Sequence, residues 1–183
     1  MRAVTLVVGA LTLALTLGFW PNAATAADKS VIDARVDAAL VELRQLGPGT
    51  AQLLEDAEGV LVMPRITKGG FVVGGQYGEG ALRVDGETVG YYSLAAGSFG
   101  LQAGVETFSQ ALLFMTPAAL AEFREADGWK AGAGAEVTLL QQGFDIGAST
   151  DVTNRPIIAI VFGQNGLLAG ASVEGAKYTR IER

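Results

Sequence analysis

The apolar positions along the chain change period near residue 59. From Asp28 to Leu46 the residues Ile32, Val36, Ala39, Leu40, Leu43 and Leu46 recur at spacings of three and four, which predicts an amphipathic helix. Ser30, three residues before Asp33, has the spacing of a capping box with Asp in place of Glu. The other face carries Asp33, Asp37, Glu42 and Arg44, so it lacks the basic character of a helix that adsorbs to anionic lipid. Gly47-Pro48-Gly49 ends it, and Thr50 is the expected cap of a short second helix through Leu53, Leu54 and Ala57.

After Gly59 the period is that of strands. Val60 to Met63 is a short apolar run stopped by Pro64, as expected of a strand at an edge or end. A strand from Phe71 continues through Gln76-Tyr77 and Ala81 to Val84, and Asp85-Gly86 is a hairpin turn into a strand holding Val89, Tyr91, Tyr92 and Leu94. From Phe99 towards Met115 a third strand is predicted, with a bulge near Ser109-Gln110. Its first residues alternate strictly, Phe99, Leu101, Ala103 and Val105 against Gly100, Gln102, Gly104 and Glu106. Thr116-Pro117 is an N-cap with proline at the first helical position, and Leu120 and Phe123 form the inner face of a helix ending at Asp127-Gly128. Glu136 to Leu140 reads as a strand and Ser149 to Arg155 as a polar turn. Pro156 to Phe162 is a strand apolar enough for burial on both faces. Asn165-Gly166 is a second hairpin turn, into Leu167 to Val173, before a short charged segment from Glu174 to Arg183. The sum is an α+β fold, mainly antiparallel β: a single curved sheet or barrel-like domain with an N-terminal helix pair and one mid-chain helix.

Composition narrows the chemistry. The 183 residues include 13 basic and 19 acidic side chains, a net charge of −6, which argues against nucleic acid as a partner. The absence of cysteine and histidine excludes disulfides, Cys/His zinc sites and any Ser-His-Asp triad. Met1-Arg2, an uncharged run from Ala3 to Trp20, Pro21 and the small residues Ala24-Thr25-Ala26 have the form of an export signal. An uncleaved anchor is the alternative, because the apolar run approaches the ~20 residues that span a bilayer. The expected organisation is therefore residues 1–26 as signal peptide, 27–58 as a helical segment packed on the domain and 59–183 as the β domain. An exported, periplasmic, envelope-bound or secreted location follows.

Eleven of the 25 glycines fall between Gly69 and Gly104, which points to bulges, curvature or a closely packed neighbour. Gly75-x-x-Gly78-x-Gly80 is not in dinucleotide-binding order, and no phosphate-binding G-x-x-x-x-G-K-[ST] loop is present. The carboxylate pairs Glu79 with Glu87 and Glu122 with Glu125 are read as exposed charges, so no enzyme activity and no cofactor are expected. Arg65 and Lys68 stand close together in an acidic chain, flank an expected turn at Ile66-Thr67 and lead into Gly69-Gly70-Phe71. Two cations and the free amides of a glycine turn can meet a phosphate.

The core MPRITKGGFVVGGQYGEG within Val60 to Ser98, then YYSLAAGSFGLQAGVE, LLFMTPAALAEF and the closing GLLAGASVEGAKY resemble a SYLF domain, collinear from about Ala57 to Ile181. The resemblance implies a compact β domain with supporting helices. It also implies a lipid-binding role, phosphoinositide binding with actin bundling in some eukaryotic members and envelope lipid binding in exported bacterial ones. It adds Arg83 and Lys130 to Arg65, Lys68, Gly69, Gly70 and Phe71 as lipid-contacting residues. The expected partner is an anionic phospholipid or membrane surface. The alternative is an envelope structural or interaction module, with a protein partner or self-association through the glycine-rich face.

Overall fold

The computed structural model describes residues 28–70, 73–99, 104–132, 136–141, 155–165 and 175–183. Within them the chain forms α1 (Lys29–Gln45), α2 (Pro48–Asp56), β1 (Gly59–Gly70), β2 (Val73–Val84), β3 (Glu87–Phe99) and β4 (Gly104–Phe114). It continues through α3 (Pro117–Glu125), β5 (Trp129–Lys130), β6 (Val137–Gln141), β7 (Ile157–Asn165) and β8 (Lys177–Ile181). The strands make one sheet in the order β5-β8-β3-β2-β1-β4-β7-β6. All neighbours are antiparallel except β6 beside β7. The sheet curls into a half-barrel, giving the α+β architecture that the periodicities predict.

Each side of the sheet buries its own apolar layer. On one side Leu61, Met63, Ile66, Leu82, Leu112 and Phe114 meet Leu120 and Phe123 of α3. Phe123 is the hub, with ring centroids 4.8 Å from Phe114, 4.9 Å from Tyr92 and 5.5 Å from Trp129. On the other side Val60, Val62, Ala81, Ala111 and Leu113 meet Ile32, Val36 and Leu43 of α1 and Leu53 of α2. β7 serves both layers, Ile157, Ala159 and Val161 on the α3 side and Ile158, Ile160 and Phe162 on the α1 side. Its unbroken apolar run has this cause.

Several local expectations change. Pro64 does not end a strand: β1 runs on to Gly70 and lies in the centre of the sheet, between β2 and β4. The proline is accommodated because β1 carries one extra residue between Met63 and Ile66, where the ladder is interrupted and no N–H is required. Ile66-Thr67 is therefore strand rather than turn, with Ile66 fully buried. The bulge expected at Ser109 belongs to its neighbours instead. Pro64 and Arg65 oppose Ser109 from β1, and Gly163, at φ 62°, lies within the register shift of β7. Phe99 closes β3, paired with Val73, and the next strand begins at Gly104, so the predicted third strand is divided between the end of β3 and β4, which do not pair because β2 and β1 lie between them. Ser30 lies inside α1, whose N-cap is Asp28, and Thr50 is buried inside α2, whose N-cap is Gly47. The charged C-terminal segment contains β8, which inserts Tyr178 into the core.

Other expectations hold. Asp85 and Gly86 take φ of 51° and 80° in the β2–β3 turn. The Thr116 hydroxyl accepts from the Ala119 amide at 3.2 Å at the start of α3. The export segment, Ser149 to Asn154 and Gly166 to Val173 lie outside the described residues.

The glycines of β2 answer to the β1 bulge. A Cβ built on Gly80 would stand 1.9 Å from the Val62 carbonyl oxygen, and one on Gly78 would stand 2.9 Å from that of Arg65. No side chain fits between these backbones. α1 is tied to β2 and β3 by polar contacts. Asp33 accepts from the Tyr91 hydroxyl at 2.7 Å and from Thr88 at 2.9 Å, while Arg83 donates to Asp37 at 2.7 Å. Burial pushes the Asp33 carboxyl up, but the hydrogen bonds from Tyr91 and Thr88 and the charges of Arg83 and Lys29 outweigh it and hold it below the ordinary value of 3.8. Burial and the same bond push the Tyr91 phenol up to about 12.

Three outcomes follow, all read by chemical denaturation. Gly80→Ala is expected to cost roughly 3 kcal/mol or more through overpacking against Val62. Gly97→Ala, with nothing within 4 Å of its Cβ, is expected to change stability by less than about 1 kcal/mol. Because the Asp33 carboxyl is depressed in the folded state, its contribution is present above the unfolded value and lost as pH falls through the folded one. Asp33→Asn is therefore expected to cost about 1 to 2 kcal/mol at pH 7, and the difference from wild type should shrink on acidification below pH 3.8.

Candidate functional site

The helix pair covers the α1 side of the sheet only as far as the bulge. Beyond it the strands continue, and register places their side chains in rows. On the α1 side, Thr67 pairs with Tyr77 and Thr107, Tyr77 with Ala95, Ala95 with Lys177, and Lys177 with Lys130. The next row holds Gly97, Gly75, Gly69 and Val105. Arg65, two residues before Thr67, is exposed on this same side. Tyr77 is 53 % exposed and Val105 76 %. A large aromatic side chain thus stands in solvent beside a nearly bare glycine row, which the exposed branched side chain of Val105 ends on β4.

The charges of this surface are unevenly paired. Its carboxylate Glu79 accepts from the Tyr77 hydroxyl at 2.7 Å and forms an ion pair with Arg183. Arg65, Lys130 and Lys177 form no ion pair among the described residues. Lys130 and Lys177 are directly opposite each other, an arrangement in which like charges repel. The glycine at 128 makes room for the Lys177 stem, since a Cβ there would come 2.3 Å from Lys177 Cε.

On the α3 side the corresponding row is Ala96, Gln76, Lys68 and Glu106. It follows the buried row of Leu94, Gly78, Ile66 and Phe108 and precedes Gly74, Gly70 and Gly104. Glu106 is only 8 % exposed, and its Oε1 has no hydrogen-bond partner among the described residues. Burial pushes its carboxyl above the ordinary 4.5, and the charge of Lys68 offsets part of that.

The residues predicted from sequence are therefore divided. Arg65 and Lys68 lie on opposite sides of the sheet, because the single residue of odd parity between Ile66 and Lys68 keeps those two on the α3 side. Lys130 joins Arg65 on the α1 side. Gly69 and Gly70 are paired in ladders with β2 and β4, so they are strand residues and not the free amides of a turn. Arg83 is occupied by Asp37, with Asp33 at 3.6 Å. Phe71 lies outside the described residues. The carboxylates Glu79 and Glu87 do not face each other: their register partners are Ser93 and Val84.

Tyr77, Val105, Lys177 and Glu106 did not stand out by pattern. For Glu106 the signal was a lone acid in a glycine-rich alternation, and for Lys177 a lysine beside a tyrosine in a short terminal segment. Their positions depend on strand pairing distant in sequence.

No curated protein matches the chain. A family model does match residues 95–182, that of Ysc84, described as a Las17-binding protein actin regulator. The match begins after Arg65, Lys68 and Arg83 and contains Val105, Glu106, Lys130 and Lys177. It agrees with the motifs that resemble a SYLF domain, so residues 95–182 are similar to that family.

Proposed function

We propose that this protein is a non-enzymatic lipid-binding protein of the bacterial envelope, exported through its N-terminal segment, that rests peripherally on anionic phospholipid. The observation that carries the reading is the α1-side surface, where Arg65, Lys130 and Lys177, without ion pairs among the described residues, share a face with exposed Tyr77 and Val105. Long basic side chains meet phosphate oxygens while their stems lie on apolar surface. The tyrosine ring suits the interfacial layer. The glycines at 97, 75 and 69 in the adjoining row let the sheet approach head groups without a side chain intervening. A chain that is acidic overall can approach an anionic surface only with such a basic face forward, so charge orients it as well as attracting it.

A protein partner is the second reading, favoured by the description of the matched family as Las17-binding. The same smooth surface could receive another protein's backbone.

Each cation near an anionic membrane contributes about 1 kcal/mol. Lys130→Gln/Lys177→Gln is therefore expected to weaken co-sedimentation with phosphatidylglycerol-containing vesicles roughly 30-fold, and Tyr77→Ser/Val105→Ser to weaken it further. Arg35→Gln, on the exposed face of α1, should leave it unchanged. Equal binding to uncharged phosphatidylcholine vesicles, or undiminished binding by the lysine variant, overturns the reading. Capture of a protein partner that is indifferent to added lipid supports the second one.

A further inference from the structure

The α3-side row poses a separate question, because Glu106 breaks a general rule of protein interiors. Buried carboxylates are paired or hydrogen-bonded, and one left with a bare oxygen loses water without replacement. Lys68 is its direct neighbour across the β1–β4 ladder, and Gln76 is the neighbour of Lys68 across β1–β2. Opposite side chains on adjacent strands are within easy reach of each other. Yet no ion pair closes between Lys68 and Glu106, and among the described residues Glu106 Oε1 remains without a donor.

The surroundings explain why such a pair is tolerated at the end of an apolar layer. The row before it, with Ile66 and Phe108, is buried, so the two charged groups sit at the edge of low-dielectric surroundings. The row after it is glycine on three successive strands, at 74, 70 and 104. Those positions add no side chain that could reach either charge. A positive and a negative group thus stand side by side, unjoined, beside a stretch of sheet with no side chains.

We infer that Lys68, Gln76 and Glu106 form a binding site for a zwitterionic group that pairs a primary ammonium with anionic oxygens, the chemistry of a phosphoethanolamine head group. The ammonium donates to Glu106 Oε1, the orphan acceptor. The phosphate oxygens accept from Lys68 and from the Gln76 amide. A primary ammonium has N–H bonds to give, whereas the trimethylammonium of phosphocholine has none, so the site distinguishes the two head groups by hydrogen bonding. The buried, charged acceptor makes that distinction large. This site lies on the opposite side of the sheet from the proposed membrane-facing surface. It rests on the lipid reading only where vesicles are the probe.

The test uses the full mature chain with two kinds of probe. Calorimetric titration with soluble O-phosphoethanolamine and with phosphocholine examines the site alone. Co-sedimentation with phosphatidylethanolamine/phosphatidylglycerol and phosphatidylcholine/phosphatidylglycerol vesicles, at equal phosphatidylglycerol, examines it on a membrane. The wild type is expected to prefer the primary-ammonium member about 10- to 100-fold, the value of a hydrogen bond to a buried charge. Glu106→Leu should abolish the preference, Glu106→Gln should reduce it, and Lys68→Met should weaken binding of both members. Both Glu106 variants remove a buried charge and are expected to unfold at temperatures at or above wild type, which separates loss of the site from loss of the fold.

Preference in the soluble arm alone assigns the site to a free zwitterion, and preference in the vesicle arm alone assigns it to the lipid; either supports the site. Absence of preference in both arms overturns it, as does a preference that survives in Glu106→Leu. Lys130→Gln/Lys177→Gln leaves the soluble titration untouched, so failure of the surface reading and failure of this site give different results.

Discussion

The contact on which the sheet depends is backbone against backbone, where β1 bulges over Gly78 and Gly80. An extra residue in β1 pushes the carbonyls of Val62 and Arg65 towards β2, into space that a Cβ at either glycine would fill. Bulges bend a strand and increase its twist. Because β1 is central, its bend is passed through both neighbouring ladders, and the sheet curls. Pro64 fits the same place because a bulge is where a central strand can dispense with an amide donor.

That bend also divides the molecule. Before it, the strands are enclosed, with α3 on one side and α1 with α2 on the other, and nearly every inward position is apolar. The polar fastening of α1, through Asp33 and Asp37 to Thr88, Tyr91 and Arg83, belongs to this half and holds the helix pair in place. After the bend the helices no longer cover the sheet. Here the usual distribution is inverted at one pair of neighbouring residues: Val105 stands in solvent and Glu106 is buried. Such a reversal costs stability on both sides of the sheet, and proteins accept such costs mainly at positions used for binding.

The two sides of this end offer different chemistry. The α1 side is broad, basic and partly apolar, suited to a surface. The α3 side is a short polar row at the edge of a hydrophobic layer, suited to a single small group. Arg65 and Lys68, three positions apart, serve different sides because strand alternation separates them.

Much of the fold was legible locally. The helical spacing of Ile32 to Leu43, the Thr116-Pro117 start, the Asp85-Gly86 turn and the doubly buried β7 each depend on neighbours within a few residues, and each formed as the pattern implies. The aggregate of glycines also announced a close neighbour, though not which one. Tertiary structure alone identified it as β1's own bulge, because a steric requirement between strands is set by their register and not by either segment's composition. For the same reason sequence named Arg65, Lys68, Arg83 and Lys130 as cations of interest but could not sort them. Pairing with α1 occupies Arg83, strand parity turns Lys68 towards Glu106, and the β5–β8 ladder sets Lys130 opposite Lys177. Sequence determined the helices, the β2–β3 turn and the doubly buried β7, and that glycine must crowd part of the sheet. Pairing across distant segments decided which charges remain available and which face they share, because those depend on the side of the sheet to which each residue is turned.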